Sequence, residues 1–228
     1  MRIAEIFHSI QGEGKLAGMP STFVRTSGCN LRCTWCDTPY SSWHPEGQDW
    51  SVDQIVHHVA THPATHVVIT GGEPMIAPDV GLLTAALKRA GYHITIETAA
   101  TVFTDVQCDL ASISPKLANS TPWRRAPGPI AEAHDAHRIN IPVIRSFMDR
   151  FEYQLKFVVE HPGDLDEIDR CIARLGNVAP ADVLLMPEGT TPHALDQKSR
   201  WLSEICKQRG FRLCPRWQIL LYGCVRGT

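Results

Sequence analysis

The chain has 228 residues, of which 43% are hydrophobic and 20% are charged, and its formal net charge is -2. This composition is typical of a globular protein, and the small net charge provides no general attraction to nucleic acid or to an anionic membrane. No apolar run approaches the ~18 residues of a membrane span, and the N-terminus lacks the apolar segment of a signal peptide. We therefore expect a cytoplasmic protein whose thiols stay reduced.

Apolar strand-like runs alternate with amphipathic helical segments in the first half of the chain. The predicted elements are a strand at 22–25, a helix at 51–62, a strand at 66–70 and a helix from about Asp79 to Gly91. Ser51 and Gln54 have the spacing of a capping box at the start of the first helix. This alternation of strands and helices is typical of a parallel α/β sheet or barrel.

The second half continues this pattern with fewer helices. Its predicted elements are strands at 93–97, 110–114, 153–159 and 183–186, and helices at about 164–175 and 192–208. Residues 101–107 leave no room for a crossover helix, and residues 119–141, rich in proline, histidine and alanine, are predicted to form a long loop. About six parallel strands are too few for a complete eight-fold barrel. We predict an open, partial TIM-type barrel in one domain, 1–228, with extensions at 1–21 and 211–228.

Three cysteines, Cys29, Cys33 and Cys36, have the spacing C-x3-C-x2-C. An iron–sulfur cubane is normally held by four thiolates, so three close ligands would leave one iron open for a chelating substrate. Two alternatives remain at this point: a structural zinc site with a distant fourth ligand, or unconnected core cysteines. The other five cysteines are scattered and are interpreted as packing residues.

Polar side chains recur on one face of the predicted strands. They are Thr95 and Glu97, then Ser112, Ser114 and Lys116, and finally Gln154 and Lys156. Strands in a barrel alternate inward and outward, so helices covering the apolar face would leave these residues in the lumen. The alternative is that they face solvent at strand ends. The segment Gly71-Gly72-Glu73-Pro74 follows a strand, and its glycines would let a ligand approach the backbone closely.

These motifs resemble those of a known group of enzymes. The cysteine motif with Trp35 and the Gly-Gly-Glu-Pro segment resemble the radical S-adenosylmethionine (SAM) superfamily. Within it, the chain is similar to the 7-carboxy-7-deazaguanine synthase family of queuosine and 7-deazapurine biosynthesis. The segments that carry this second resemblance are 9–14, 23–31, 35–38, 69–74, 96–98, 114–116, 154–158 and 186–189.

The resemblance implies a function for individual residues. Cys29, Cys33 and Cys36 would hold a [4Fe-4S] cluster, and Thr38 would bind Mg2+. SAM would be bound by the backbone at Gly71, Gly72 and Glu73, and by Trp35, Asp37, Glu97, Ser114, Lys116 and Gln154. The substrate, 6-carboxy-5,6,7,8-tetrahydropterin, would contact Ile10, Gln11, Gly12, Glu13, Arg25 and Thr70, which makes 1–21 a substrate-side extension. The implied reaction is that of a lyase, giving 7-carboxy-7-deazaguanine by ring contraction and loss of ammonia, without a protein acid or base.

The resemblance also implies a homodimer and an electron donor of the flavodoxin type. Two alternative functions remain: another radical SAM enzyme, such as a glycyl-radical activase, and a non-catalytic metal-binding module. The histidines, including His57, His58, His134 and His137, are interpreted as part of solvated helix or loop faces.

Overall fold

A single nine-stranded sheet organises the computed structural model, which describes residues 1–228. The strands are β1 Arg2–Ile10, β2 Pro20–Thr26, β3 Gln48–Asp49, β4 His66–Gly71, β5 His93–Thr98, β6 Leu110–Ile113, β7 Glu152–Val159, β8 Val183–Pro187 and β9 Arg212–Leu213. Their order is β3-β1-β2-β4-β5-β6-β7-β8-β9. All neighbours from β2 to β9 are parallel, whereas β1 is antiparallel to both β2 and β3. The two end strands do not pair, which confirms the predicted open barrel.

Eight helices accompany the sheet. They are α1 Pro39–Ser42, α2 Val52–Val59, α3 Val80–Arg89, α4 Pro129–His137, α5 Ile141–Met148, α6 Asp164–Leu175, α7 Pro192–Arg209 and α8 Trp217–Tyr222. The four predicted helices correspond to α2, α3, α6 and α7, and the capping box of Ser51 and Gln54 is present. No helix lies between β5 and β6, as expected from the short connection. None of the helices has the length and apolarity needed to cross a membrane.

The predicted loop at 119–141 is wrong, because this segment contains a 3-10 turn at Ala118–Ser120 and the helix α4. Its prolines suggested irregular structure, but Pro129 occupies the first turn of α4, where a missing N–H costs nothing. Asn140 then caps α5 by accepting a hydrogen bond from the N–H of Val143. The segment is therefore a helical connection between β6 and β7.

The two terminal extensions contain secondary structure that was not among the predicted elements. Residues 1–21 contain β1 and the start of β2, and residues 211–228 contain β9 and α8. A register shift between Ile3 and Glu5 interrupts the alternation of β1. Because strand prediction relies on a strict period of two, this irregularity conceals the strand in the sequence.

The helices cover one face of the sheet and leave the other face free for a site. Leu155 and Phe157 of β7 belong to the main core of 31 buried residues, together with Leu83 of α3 and Phe147 of α5. Residues between them in the strand, such as Lys156, point to the opposite face. The predicted polar lumen is therefore present.

Two adjacent leucines in α3 give a direct test of this packing. Leu83 is 0% exposed and Leu82 is 66% exposed. We expect Leu83→Ala to lower the free energy of unfolding by about 2–5 kcal/mol, because it removes buried methyl groups and leaves a cavity. The matched control Leu82→Ala should change it by less than about 0.5 kcal/mol. Chemical denaturation measures both, and similar losses in the two variants would contradict the described orientation of α3.

Candidate functional site

A cavity of about 520 Å³ lies at the carboxyl ends of the parallel strands. It is called the central pocket below. Side chains reach it from β2, β4, β5, β6, β7 and β8, as Arg25, Thr70, Glu97, Ser112, Lys156 and Met186. The carboxyl edge is where barrels of this type place their sites, because the loops that follow all the parallel strands converge there.

The three cysteines of the C-x3-C-x2-C motif line the central pocket, in a loop between β2 and α1. Hydrogen bonds with residues 41 and 43 hold this cysteine loop at its start and at Cys33. The N–H of Gly28 donates to Ser41 O (2.8 Å), and Trp43 Nε1 donates to Cys33 O (2.9 Å). Burial raises the pKa of Cys29 to about 11 and that of Cys33 to about 12. All three thiols thus line one pocket, and Cys29 and Cys33 are protonated at neutral pH.

His134 supports the cysteine loop from behind, which corrects its interpretation as a solvated residue. It is 2% exposed, and its Nδ1 accepts a hydrogen bond from the N–H of Arg32 (2.9 Å). Burial lowers its pKa to about 4, so the ring is neutral and carries its proton on Nε2, toward Ser120 Oγ (2.9 Å). Ser120 in turn donates to Leu117 O. A lone histidine in a helical segment gave no sequence signal for this structural function.

Gly71 and Gly72 allow close contact between the loop that follows β4 and the cysteine loop. A Cβ atom on Gly72 would lie 2.2 Å from Gly28 O and 2.5 Å from Ser41 O, both of them backbone atoms. The N–H of Glu73 donates to Gly28 O (2.9 Å). Both glycines line the pocket, as predicted, but the contact that excludes a side chain at Gly72 is made by protein backbone.

Glu73 does not line the central pocket. Its side chain is 1% exposed and accepts hydrogen bonds from Thr98 Oγ1 (2.6 Å), the N–H of Ala99 (2.8 Å) and the N–H of Met75 (3.1 Å). Burial raises its pKa, although these three neutral donors oppose the shift. The carboxyl group therefore ties the end of β5 to the loop after β4 and is not available to a ligand.

The polar residues of the inner face form hydrogen-bonded pairs. Glu97 accepts from Gln11 Nε2 (3.2 Å) and Thr70 Oγ1 (2.9 Å), which joins two predicted substrate ligands to a predicted SAM ligand. Lys116 Nζ donates to Ser114 Oγ (2.7 Å). Every residue that was predicted to bind a ligand lines the central pocket, except Glu73 and Gln154.

Gln154 lies behind the pocket wall. Its Nε2 donates to Ser112 Oγ (2.7 Å), and its Oε1 accepts from the N–H of Lys15 (2.7 Å). A Cβ atom on Gly14 would lie 2.2 Å from its Nε2. Both polar groups of Gln154 are thus used within the protein, and its contact with the pocket is made through Ser112.

Glu13 is a charged residue of the pocket lining with three hydrogen-bonding partners. Its carboxylate accepts hydrogen bonds from Lys156, from Arg216 Nε (3.1 Å) and from Gln218 Nε2 (2.7 Å). Burial alone would raise the pKa of Glu13, but the charges of Lys156 and Arg216 lower it to about 2. Glu13 is therefore an ionised acceptor at neutral pH.

The C-terminal segment supplies pocket residues that the sequence did not reveal. Arg216, Gln218 and residues 223–228 all line the central pocket. Arg226 binds Glu46 (2.9 Å) and Glu5 (3.3 Å), and its guanidinium lies 4.2 Å from the centre of the Tyr40 ring. No local motif marks these residues, because they reach the pocket only through the packing of the chain end against β1 and the cysteine loop.

This fold and this arrangement of cysteines define a radical SAM enzyme. Residues 23–118 match the radical SAM superfamily. Membership implies a [4Fe-4S] cluster and SAM as cofactors.

The relatives define the family more closely. A 7-carboxy-7-deazaguanine synthase of Halobacterium salinarum is 44% identical, over 96% of this chain and 90% of its own. One of Rhodopirellula baltica is 45% identical, over 99% and 88% respectively. The crystal structure of QueE from Escherichia coli matches with a TM-score of 0.68 at 27% identity, covering 93% of this chain and 92% of that chain. The chain belongs to the 7-carboxy-7-deazaguanine synthase family, and this relationship disfavours the activase and the non-catalytic module.

The cysteine loop fits the cluster that this family implies. All three thiols line one pocket, beside glycine backbone that a side chain could not occupy. No three His, Cys, Asp or Glu side chains are grouped so as to hold one metal ion. A cubane does not require such a group, because each of its thiolates binds a different iron. Iron would also supply the positive charge that deprotonates these buried thiols.

The contact at Gly72 generates a prediction about cluster assembly. A methyl group in Gly72→Ala must push the cysteine loop away, because it would meet the backbone of Gly28 and Ser41. We expect a loss of about 1–3 kcal/mol in the free energy of unfolding, as for other overpacked sites, and a lower iron and sulfide content after reconstitution.

A glycine with more space provides the control for this experiment. In Gly163→Ala the added Cβ would meet only the His161 side chain, at 3.2 Å, so stability and cluster content should stay at the wild-type level. Denaturation and metal analysis measure both quantities. Full cluster content in Gly72→Ala, with unchanged stability, would show that the two loops are not packed as described.

Proposed function

We propose that this protein converts 6-carboxy-5,6,7,8-tetrahydropterin to 7-carboxy-7-deazaguanine, with ring contraction and loss of ammonia. The observation that carries the proposal is the single pocket that joins the cysteine loop to Gln11, Glu13 and Arg25. It is supported by the names of the relatives, which match nearly the whole chain. When bound, the cluster and SAM supply the one-electron chemistry that removes a hydrogen atom from the substrate.

Arg25 is the proposed partner of the substrate carboxylate. Its Nε donates to Glu5 Oε1 (2.6 Å), and its two terminal nitrogens donate to no protein group. These nitrogens belong to a buried guanidinium on the pocket wall, whose pKa is raised by the neighbouring Tyr40 and Glu5 despite its burial. A guanidinium can bind a carboxylate through two parallel hydrogen bonds, so the free edge of Arg25 suits this group.

Glu13 is the proposed acceptor for the polar edge of the pterin. An ionised carboxylate only accepts hydrogen bonds and offers about four lone-pair sites. Lys156, Arg216 and Gln218 use three of them. A ligand in this part of the pocket must therefore present an N–H or O–H donor. Ile10, Gln11, Gly12 and Thr70 complete the proposed substrate wall.

The remaining residues predicted to bind SAM form the proposed SAM site of the same pocket. Trp35, Asp37, Gly71, Gly72, Glu97, Ser114 and Lys116 line the pocket there. The Lys116 Nζ lies 6.0 Å from the centre of the Trp35 ring, which places a cation beside an aromatic surface. We assign Glu73 and Gln154 to this site as supporting residues, since their side chains bind other parts of the protein.

Thr38 is the proposed Mg2+ ligand. Its hydroxyl lies 3.9 Å from Cys36 Sγ on the pocket wall and does not cap the helix α1 that it precedes. Mg2+ prefers oxygen ligands and keeps several waters, so one threonine hydroxyl beside the substrate carboxylate suits it. The metal would fix that carboxylate relative to the reacting ring carbon.

The proposed partners follow from the same function. A one-electron carrier of the flavodoxin type would reduce the cluster in the cytoplasm. A homodimer is supported by the apolar surface of α8, where Trp217, Leu220, Leu221 and Tyr222 are between 42% and 58% exposed. Such contiguous apolar surfaces in soluble proteins commonly mark interfaces.

Anaerobic turnover tests the proposed function directly. Protein reconstituted with iron and sulfide is incubated with SAM, a reductant, Mg2+ and 6-carboxytetrahydropterin, and the products are identified by mass spectrometry. We expect a product lighter than the substrate by the elements of ammonia, with SAM largely conserved. SAM cleavage without conversion of the pterin would show that the substrate is wrong. No SAM cleavage in cluster-loaded protein would overturn the proposal.

Two cysteine variants distinguish loss of the cluster from loss of the fold. We expect Cys33→Ala to lose the cluster and all turnover, because the cubane would retain only two of its thiolates. Cys108 lies outside the pocket, with its thiol toward Ile94 O, so Cys108→Ala should retain both. Iron and sulfide analysis and product assays measure the result. Full cluster content and turnover in Cys33→Ala would contradict the assignment.

A further inference from the structure

Arg216 connects three separate segments around the central pocket. This residue precedes α8, and its side chain is 7% exposed. Its Nε donates to Glu13 Oε1 (3.1 Å), Nη1 donates to Gly189 O (2.6 Å) and Nη2 donates to Asp37 Oδ2 (2.5 Å). One guanidinium therefore holds the N-terminal turn, the cysteine loop and the loop after β8.

The two carboxylates bound by Arg216 belong to different segments that line the pocket. Glu13 belongs to the substrate wall, and Asp37 follows the last cysteine of the cluster motif. Asp37 is partly exposed and has Arg216 as its ion-pair partner. A change in the Arg216 side chain therefore removes a direct link between the N-terminal turn and the end of the cysteine loop.

We propose that Arg216 is a positioning residue that sets the substrate wall at a fixed distance and angle from the cysteine loop. This inference rests on the proposed function, because it assumes that Glu13 contacts the pterin and that Asp37 borders SAM. Arg216 acts through these two residues.

Arginine suits this task better than lysine. The guanidinium is planar and presents its donors in a rigid fork, so it can bind three acceptors in fixed directions at once. A lysine ammonium is a single point charge on a flexible stem. It could neutralise Glu13 or Asp37, but it could not hold both carboxylates and Gly189 O together.

Loss of Arg216 leaves neither carboxylate both buried and without a hydrogen-bonding partner, so a variant is expected to fold. Glu13 keeps its contacts with Lys156 and Gln218. Asp37 can turn toward solvent, because its side chain is 39% exposed. The expected consequence is that Glu13 no longer holds the substrate in a fixed orientation relative to the cysteine loop.

The test compares Arg216→Gln and Arg216→Lys with the wild type and with a control, Arg200→Gln. Arg200 is exposed on α7 and pairs only with Asp196. Calorimetry without reductant measures the Kd for 6-carboxytetrahydropterin in protein that carries its cluster and SAM. Turnover assays give kcat and KM, and also the ratio of 5′-deoxyadenosine released to product formed. Thermal melting checks the fold of each variant.

We expect Arg216→Gln to raise the Kd and the KM for the pterin about tenfold or more, because it removes one partner of a buried charge pair. It should also raise the ratio of 5′-deoxyadenosine to product, because a substrate in the wrong position is converted less often for each SAM molecule that is cleaved. Arg216→Lys should recover part of the affinity for the pterin. Its ratio of 5′-deoxyadenosine to product should stay close to that of Arg216→Gln. Arg200→Gln should match the wild type in all measurements.

The outcomes separate this inference from the proposed function. Partial unfolding lowers both products by the same factor and leaves their ratio unchanged, so a changed ratio in folded protein supports positioning. Wild-type Kd, KM and ratio in Arg216→Gln would overturn the inference alone. Full restoration of affinity and ratio in Arg216→Lys would also overturn it, since charge would then suffice. A wild-type protein that neither binds nor converts the pterin would overturn the proposed function, and the inference with it.

Discussion

The parallel direction of neighbouring strands from β2 to β9 is the constraint on which the site depends. Because all these strands end at one edge, the loops that follow them must meet there. The cysteine loop follows β2, and the loop with Gly71 and Gly72 follows β4, so two segments more than 30 residues apart come into backbone contact. Any side chain larger than hydrogen at Gly72 would separate them. The geometry of the cluster site is therefore set by main chain, before any cofactor binds.

Two buried carboxylates illustrate how their surroundings determine their function. Glu73 accepts hydrogen bonds from three neutral donors, and burial raises its pKa; its carboxyl group joins the loop after β4 to the end of β5. Glu13 is flanked by Lys156 and Arg216, whose charges lower its pKa. A buried charge is tolerated only where such partners compensate for its desolvation. The carboxylate with hydrogen bonds from Lys156 and Arg216 therefore lines the pocket, and the carboxyl group held by three neutral donors lies behind it.

Much of this site could be predicted from the sequence, because its main signals are local. The spacing of Cys29, Cys33 and Cys36, the alternation in β7 that turns Lys156 inward, and the pair Gly71-Gly72 are each contained within a few residues. Residues whose function depends on distant contacts were missed. His134 and Arg216 carry no motif, and the prolines that begin α4 suggested a loop. The resemblance assigned Gln154 to a ligand, and sequence position does not reveal that its side chain is hydrogen-bonded to Ser112 and Lys15.

The contacts made by Arg216 and Arg226 also affect the order in which the molecule can be completed. Glu13 and Arg216 are 203 positions apart, and Glu5 and Arg226 are 221 positions apart. During synthesis, the N-terminal residues leave the ribosome long before these arginines, and contacts across such distances form late in folding. The wall formed by residues 216–228 is thus the last to close. Until these residues are in place, the central pocket lacks the part of its lining that they supply.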